Sequence, residues 1–400
     1  MKIIGMDIHR SFAQVAILEG GQVTKQLRVE LTHVPLVAFA KTLSLDDEVV
    51  IEVTGNSAAV ERLMRPHVKR VVVANPRLVR AIAYARVKTD KIDAITLAKL
   101  HAAGFLPEVW VADEDTYSRR RRAAERAGVL AQLVRIKGRM KAILHANLIP
   151  PYKGHLFGKA GQRWLESLPL PDEERGLLQR LMAEMERVSA QLAEIDKALA
   201  QQTLDDPRAL KLMTIPGVGA IVASVVLASI GDITRFPSPD KLSSYFGLTP
   251  RIRQSGDHPA RHGRISKQGN ADARKMLVEA AWSAKTAPGP LRAFFNRVQK
   301  KRGSGAAAVA TARKLAVMIW HVLSSGTEYA YARPSFTAMK LRKVELTAGA
   351  PRAYGKAGSA REYWIKEIRE REAGYVARAE QAYERMVAAW KPKPEKSAAG

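Results

Sequence analysis

Two acidic side chains stand where packing gives them no reason to be. Asp7 lies inside the apolar run IIGMDIH and Glu52 inside VVIEVTG; each run reads as a β-strand, in which a carboxylate flanked by Val, Ile or Met is desolvated with no apolar gain. A further pair, Asp90 and Asp93 in K-T-D-K-I-D, is spaced by three residues at the start of a helical pattern and projects from one helix face. Bringing such groups together costs repulsion that a bound cation removes. Hard divalent ions such as Mg²⁺ take oxygen ligands, and a pair of them about 4 Å apart polarises a phosphate while activating an attacking or leaving oxygen. Taken singly, each residue has a plainer account. Asp90 can be an N-cap, Asp93 a first-turn partner of the helix dipole, and Asp7 and Glu52 solvent-facing positions on edge strands.

A second constellation follows some 160 residues later, in the segment TPRIRQSGDHPARHGRISKQGN. Ser255 is surrounded there by Arg251, Arg253, Arg261, Arg264 and Lys267. A hydroxyl attacking a phosphodiester needs an acceptor for its proton and positive charge on the developing pentacovalent phosphate, and guanidinium groups supply the second. No histidine base is evident from the spacing. The same residues also describe a flexible basic clamp in which Ser255, Ser266 or Ser243 only hydrogen-bonds phosphate oxygens. Upstream, LMTIPGVGAIVASVV resembles a helix-hairpin-helix: the I-P-G-V-G turn, with Gly217 and Gly219, exposes amides to a phosphate in front of a helix N-terminus. An ordinary helix-helix turn is the alternative.

The elements that position these groups are readable from periodicity. KIIGMDIH, AQVAILE and QVTKQLRVE form three β-runs, the last two joined at Gly20-Gly21 as a hairpin. DEVVIEVTG, SAAVERLMRPH and RVVVANP then alternate strand, helix and strand, as in an α/β layer, and the chain turns helical through LVRAIAYAR and DKIDAITLAKLHAAG, ending near Gly104 and Pro107. This sheet supplies Asp, Glu, Asp and Asp in the order an RNase H-like domain needs. Beyond it, SRRRRAAERAGVLAQLVRIKGRMKAILHAN is a helix with a dense basic face, in which Arg119, Arg120, Arg121 and Arg122 are candidates for contact with a nucleic-acid phosphate backbone. After the Pro/Gly-rich IPPYKGHLFGKAG, Leu178, Leu181, Met185, Val188, Leu192, Ile195 and Leu199 recur in steps of three and four, the seam of a helical hairpin or coiled coil. The expected organisation is 1–115, an α/β domain; 116–203, basic helix and coiled-coil connector; 204–326, a mostly helical serine domain; and 327–400, a basic tail with a helix over SAREYWIKEIREREAGYVARAEQAYERMVAAW and a disordered KPKPEKSAAG end.

Composition narrows the partners. Lys and Arg number 65 against 39 Asp and Glu, a formal charge of +26, so a polyanion is the first partner to consider. Cysteine is absent, which excludes disulfides and thiolate metal sites. No apolar stretch approaches the roughly 20 residues that span a bilayer, so no membrane partner is expected, and MKIIGMDIHR lacks the order of a signal peptide. The protein is expected to be intracellular.

The ordered series G-M-D-I-H, V-I-E-V-T-G-N, N-P-R-L-V, K-T-D-K-I-D-A, I-P-G-V-G, S-Y-F-G-L-T-P, Q-S-G and R-I-S-K-Q-G-N resembles the transposases of the insertion sequence 110 type over about residues 1–326. These are bridge-RNA-guided DEDD serine recombinases. The resemblance implies a RuvC-like RNase H fold, a coiled-coil connector and a mostly helical C-terminal transposase domain. It implies that Asp7, Glu52, Asp90 and Asp93 hold Mg²⁺ and that Ser255, supplied by a partner subunit, becomes covalently linked to DNA. It further implies donor and target DNA as substrates, a noncoding guide RNA as partner, a homo-oligomer assembled as a dimer of dimers, and action on the nucleoid in a prokaryotic cytoplasm. Two competing functions remain: a RuvC-type nuclease in which a metal-activated water attacks and Ser255 is a bystander, and a nonenzymatic nucleic-acid-binding protein whose carboxylates are structural.

Overall fold

The computed structural model describes residues 1–83, 89–256, 258–352 and 360–390, and divides into two compact units, Met1–Ala112 and Asp113–Gly400. In the first unit the alternating run at the N-terminus forms β1 (Ile3–Ile8), β2 (Phe12–Glu19) and β3 (Gln22–Glu30) as an antiparallel meander. The β2–β3 turn is Gly20-Gly21, with φ of 57° and 83° that only glycine adopts freely and that match the twist of a tight hairpin. Then follow α1 (His33–Ala40), β4 (Glu48–Glu52), α2 (Ser57–Met64), β5 (Arg70–Ala74), α3 (Pro76–Ile82), α4 (Asp90–Ala102) and a short β6 (Glu108–Val109). The sheet order is β3-β2-β1-β4-β5-β6, with β4 parallel to both β1 and β5. One face buries Ile4, Met6, Val49, Ile51, Leu36 and Met64 under α1 and α2; the other buries Val50, Val72 and Leu97 under α4. The strand and helix order expected from periodicity is present, and β6 adds a short edge strand. Residues 84–86, expected to complete the helix of LVRAIAYAR, lie outside the described residues.

The second unit opens with two 33-residue helices, α5 (Glu114–Ala146) and α7 (Asp172–Leu204), with α6 (Lys159–Glu166) between them. They run antiparallel, since Arg126 pairs with Asp196, Gln132 with Glu184, and Asn147 with Glu174. The heptad seam of α7 packs against Val129, Leu133, Ile136, Met140 and Ile143 of α5, so the helical hairpin is formed within one chain. Next come α8 (Pro207–Met213), α9 (Ala220–Ile230), α10 (Pro239–Tyr245), β7 (Pro250–Arg253), β8 (Arg261–Ile265) and α11 (Ala271–Ala284). The helix α12 (Pro290–Ser325) is broken at Gly303 (φ 79°, ψ 169°) and ends on Gly326 in the left-handed region. By length and composition α12 is apolar enough to cross a bilayer, contrary to the expectation that no stretch comes near it. Its Leu291, Leu315, Ala316 and Ile319 are instead packed in the unit's core.

The chain beyond residue 326 is no loose tail. It forms α13 (Pro334–Ala348), which the sequence pattern did not announce, α14 (Arg361–Trp364) and α15 (Lys366–Ala389). Glu380 of α15 accepts hydrogen bonds from Gly289 N–H (3.0 Å) and the Arg292 guanidinium (2.6 to 3.2 Å) at the start of α12, and Glu372 accepts from Ser335 N–H and Oγ at the start of α13. The final KPKPEKSAAG segment lies outside the described residues.

Candidate metal centre and basic hairpin

β1 and β4 are interior neighbours, which overturns the edge-strand account of their carboxylates. Met6 is in register with Ile51, so Asp7 and Glu52 are the next step along both strands and turn away from the face that buries Met6 and Ile51, towards the α4 side. The N-cap account of Asp90 also fails: Thr89 is the cap, its hydroxyl accepting from Ile92 N–H (3.4 Å), which places Asp90 and Asp93 in the first turn of α4. α4 reaches the strand ends because it rides directly on the β1 backbone. A Cβ on Gly5 would stand 2.1 Å from Ala94 O, so only glycine permits this approach.

This packing brings Asp7 and Asp90 together around a residue that was not singled out from the sequence, His9. Its Nε2 lies 3.2 Å from Asp7 Oδ2 and 3.2 Å from Asp90 Oδ2, and among the described residues these three offer ligand atoms all within 4.8 Å of one another. Glu52, one step along β4 as Asp7 is along β1, and Asp93, in the first turn of α4 with Asp90, are not among these three. The imidazole is held from several sides. Its ring packs on Phe12 (4.6 Å), itself under the Arg28 guanidinium (3.7 Å); His9 N–H donates to Phe12 O (2.9 Å), and Asn56 Nδ2 donates to His9 O (3.0 Å) while Asn56 Oδ1 accepts from Thr54 (2.8 Å). The V-T-G-N segment after Glu52 thus ties the exit of β4 to that of β1. The signal in the sequence was Asp-x-His at a strand end, hidden because a histidine there raises no packing objection.

His9 Nε2 is buried and has no partner of hydrogen-bond geometry, although two carboxylate oxygens face it. An orphaned buried polar atom costs about 1–3 kcal/mol. Two carboxylates and an imidazole, each aimed at the same small volume, fit a divalent cation. The carboxylates suit Mg²⁺ or Mn²⁺ and the nitrogen widens the range to transition metals.

In the second unit the segment expected to be a basic loop is a β-hairpin. β7 and β8 pair antiparallel with Arg253 opposite Arg261, a like-charge juxtaposition that destabilises the pair unless an anion is shared. Arg251, Arg253, Arg261, Arg264 and Lys267 line one groove of about 440 Å³ together with Gly263, Ile265 and Ser266, and no carboxylate is among its described lining residues. Lys267 holds φ of 55°, a left-handed conformation uncommon for a residue with a Cβ. Ser255 sits exposed in the connection between the strands, its carbonyl accepting from His258 N–H (3.4 Å); its side chain is not part of the groove lining. Asp257, and the side chain of His262, lie outside the described residues.

The I-P-G-V-G segment is a tight turn between α8 and α9. Gly217 takes φ of 84° and packs so closely on α11 that a Cβ would lie 2.2 Å from Ala280 O, whereas Gly219, which caps α9, faces open space. Of the four consecutive arginines near the start of α5, Arg119 to Arg122, three are engaged within the chain. Arg119 pairs with Asp206 (2.8 Å) and Asp115 (2.7 Å), Arg120 donates to the carbonyls of Ala228 and Ser229 (2.9 and 3.1 Å) and Arg122 to Gln202 (3.1 Å), while Arg121 is exposed.

Residues 4–148 match a family model for transposases of the DEDD IS110 kind, and residues 209–296 match the model described as Transposase IS116/IS110/IS902 family. The chain is 27% identical to the transposase for insertion sequence element IS1328 of Yersinia enterocolitica over 82% of this chain and 98% of that protein. It is 28% identical to the transposase for insertion sequence element IS1111A of Coxiella burnetii, covering 82% and 91%. The pilin gene-inverting protein of Moraxella bovis is 27% identical over 54% of this chain and 60% of its own length. With both models matching in order, one across the carboxylate unit and into α5 and the other across the α8–α9 turn and the basic hairpin, the chain belongs to the IS110 family of transposases.

Proposed function

We propose that this protein cleaves and rejoins DNA through a serine-linked intermediate, with a Mg²⁺ site at Asp7, His9 and Asp90 that Glu52 and Asp93 complete, and with an element-encoded guide RNA choosing donor and target. The observation that carries the proposal is the convergence of Asp7, His9 and Asp90, from chain segments some 80 residues apart, on one volume at the end of β1. A divalent ion held there would polarise a phosphate oxygen and stabilise charge on the attacking or leaving oxygen. The protein's own groups do the rest. Arg251, Arg253, Arg261, Arg264 and Lys267 seat the phosphodiester and offset its charge. Ser255 Oγ gives up its proton and attacks phosphorus, the bond to one bridging oxygen breaks, and that oxygen takes up a proton, so no net proton is consumed. The resulting phosphoserine ester keeps the bond energy, so a hydroxyl of another strand reverses the step and releases the serine without ATP. The serine of one copy serves the carboxylates of another in an oligomer, a dimer of dimers. Base pairing by the RNA selects sequence, while the protein binds backbone and shape.

The test is to mix the protein with its element-flanking RNA, labelled donor and target DNA and Mg²⁺, and to look for a protein-DNA adduct on a denaturing gel. An adduct lost in Ser255→Ala and Asp7→Ala supports the proposal. Cleavage without an adduct that survives Ser255→Ala makes water the nucleophile and removes the serine's role. Recombination that proceeds equally without RNA removes the guide.

A further inference from the structure

The I-P-G-V-G turn is held from an unexpected direction. Lys340 of α13 extends its ammonium into the turn and donates to three backbone carbonyls, Met213 O (2.6 Å), Ile215 O (2.9 Å) and Val218 O (3.0 Å). These three bonds use every proton an ammonium has. A second link comes from the chain just after α12, where Tyr329 N–H donates to Thr214 Oγ1 (3.0 Å) at the entrance of the turn, and Thr214 donates in turn to Lys211 O (2.7 Å). The Lys340 stem runs beside the Phe336 ring, whose face lies 5.1 Å from the ammonium. Burying a cation this way is costly, and desolvation draws the Lys340 pKa down to about 8. Carbonyls tied inward to Lys340 fix peptide planes of a glycine-containing turn whose other side, at Gly217, is packed on α11. Both residues that tie it lie beyond residue 296, where the second family match ends.

We propose that Lys340 is the positioning residue of this turn, and that the C-terminal segment is thereby a working part of the nucleic-acid-binding surface. The inference rests on the reading that the turn contacts a nucleic-acid backbone, and the test separates the two. Lys340→Met keeps the stem and removes the ammonium, and Thr214→Val removes the second link. Gly219→Leu fills the open space before α9, where a Cβ meets nothing, and obstructs a phosphate without touching the turn's anchors. Hydrogen exchange is measured over residues 214–219 of the full chain, with affinity for a labelled DNA duplex at several salt concentrations. A hydrogen bond from a charged group is worth at least about tenfold, so Lys340→Met, which removes three, is expected to speed turn exchange by more than about tenfold and to weaken DNA binding at least about tenfold, with Thr214→Val smaller in both. The chain has no cysteine, so Lys340→Cys offers a single thiol. Aminoethylation of that thiol rebuilds the ammonium and is expected to restore both readouts, which a general loss of packing would not allow.

If Gly219→Leu leaves DNA affinity unchanged, the turn does not bind nucleic acid and the underlying reading falls. If Gly219→Leu weakens binding while Lys340→Met and Thr214→Val alter neither exchange nor affinity, the positioning role falls. Faster exchange with unchanged affinity makes Lys340 structural only and overturns the proposal equally.

Discussion

Gly5→Ala is the smallest perturbation that tests whether helix placement assembles the candidate metal centre. The added Cβ would begin 2.1 Å from Ala94 O and 3.0 Å from Ala98 N, so reaching an ordinary 3.4 Å contact requires α4 to retreat by about 1.3 Å at Ala94. Asp90 lies one helical turn before Ala94 and moves with it, opening the 3.2 Å approach of Asp90 Oδ2 to His9 Nε2. Overpacking of this kind costs about 1–3 kcal/mol of stability, and a displacement near 1 Å at a catalytic constellation costs on the order of 10²-fold in rate. Gly55→Ala is the control: it sits in the V-T-G-N segment that holds the His9 carbonyl through Asn56, but its Cβ would meet nothing. Divalent-metal affinity by titration calorimetry, metal-dependent DNA cleavage and thermal melting, run on both variants, read the three quantities separately. The expected result is a folded Gly5→Ala protein with metal binding weakened at least about tenfold and cleavage reduced about 10²-fold, beside an unaffected Gly55→Ala. Unchanged metal affinity and cleavage in a folded Gly5→Ala protein would refute the claim that α4 positions the site.

Glu48 tests the opposite end of β4. Burial alone would raise its pKa, but hydrogen bonds from His101 (2.6 Å), Lys69 (3.0 Å) and Arg70 (3.1 Å) outweigh it and hold the carboxyl at about 2 against an ordinary 4.5. Its folded pKa is depressed, so its stabilisation, on the order of 3 kcal/mol, is complete above about pH 4.5 and lost as pH falls towards 2; Glu48→Gln should flatten that part of an acid-unfolding curve. For Lys267→Gly, relief of the left-handed backbone and the entropy of glycine roughly cancel, so stability should move by less than about 1 kcal/mol. The slope of log affinity for nucleic acid against log salt should fall by about one unit, and an unchanged slope would take Lys267 out of the phosphate groove. Arg292→Met strands the Glu380 carboxylate against Gly289 N–H and should cost about 2–3 kcal/mol, read as a lower urea midpoint; no change would mean that α15 is not anchored there.

The first unit was legible because its strands obey a two-residue alternation punctuated by glycine and proline, and because a carboxylate in an apolar strand announces itself. Asp7 and Glu52 were found that way, and Asp90 and Asp93 by their spacing at a helix start. His9 was not, since an imidazole at a strand end breaks no pattern and only the approach of α4 shows what it faces. The β7–β8 hairpin escaped because its strands are four and five residues long and dominated by arginine, with no apolar face to alternate. The heptad seam of α7 was visible but its partner was not: periodicity marks a face to be covered without saying by what, and α5 of the same chain covers it. Arg119, Arg120 and Arg122 of α5 looked like free charge because their acceptors, Asp206, Ala228, Ser229 and Gln202, lie some 80 to 109 residues away. The anchoring of the turn by Lys340 depends on a separation of 122 to 127 residues, beyond any local signal.

The sheet order has a consequence of its own. β1 hands the chain to β2 on one side, while its parallel neighbour β4 hands it through α2 to β5 on the other. Connections that depart in opposite directions leave a crevice at the shared carboxyl ends of two strands, a topological switch point where open α/β sheets bind ligands. Asp7, Glu52 and His9 occupy the mouth of that crevice, so connectivity sets the location of the centre before any side chain is chosen. Recharging those positions would change what is bound there while leaving the opening in place.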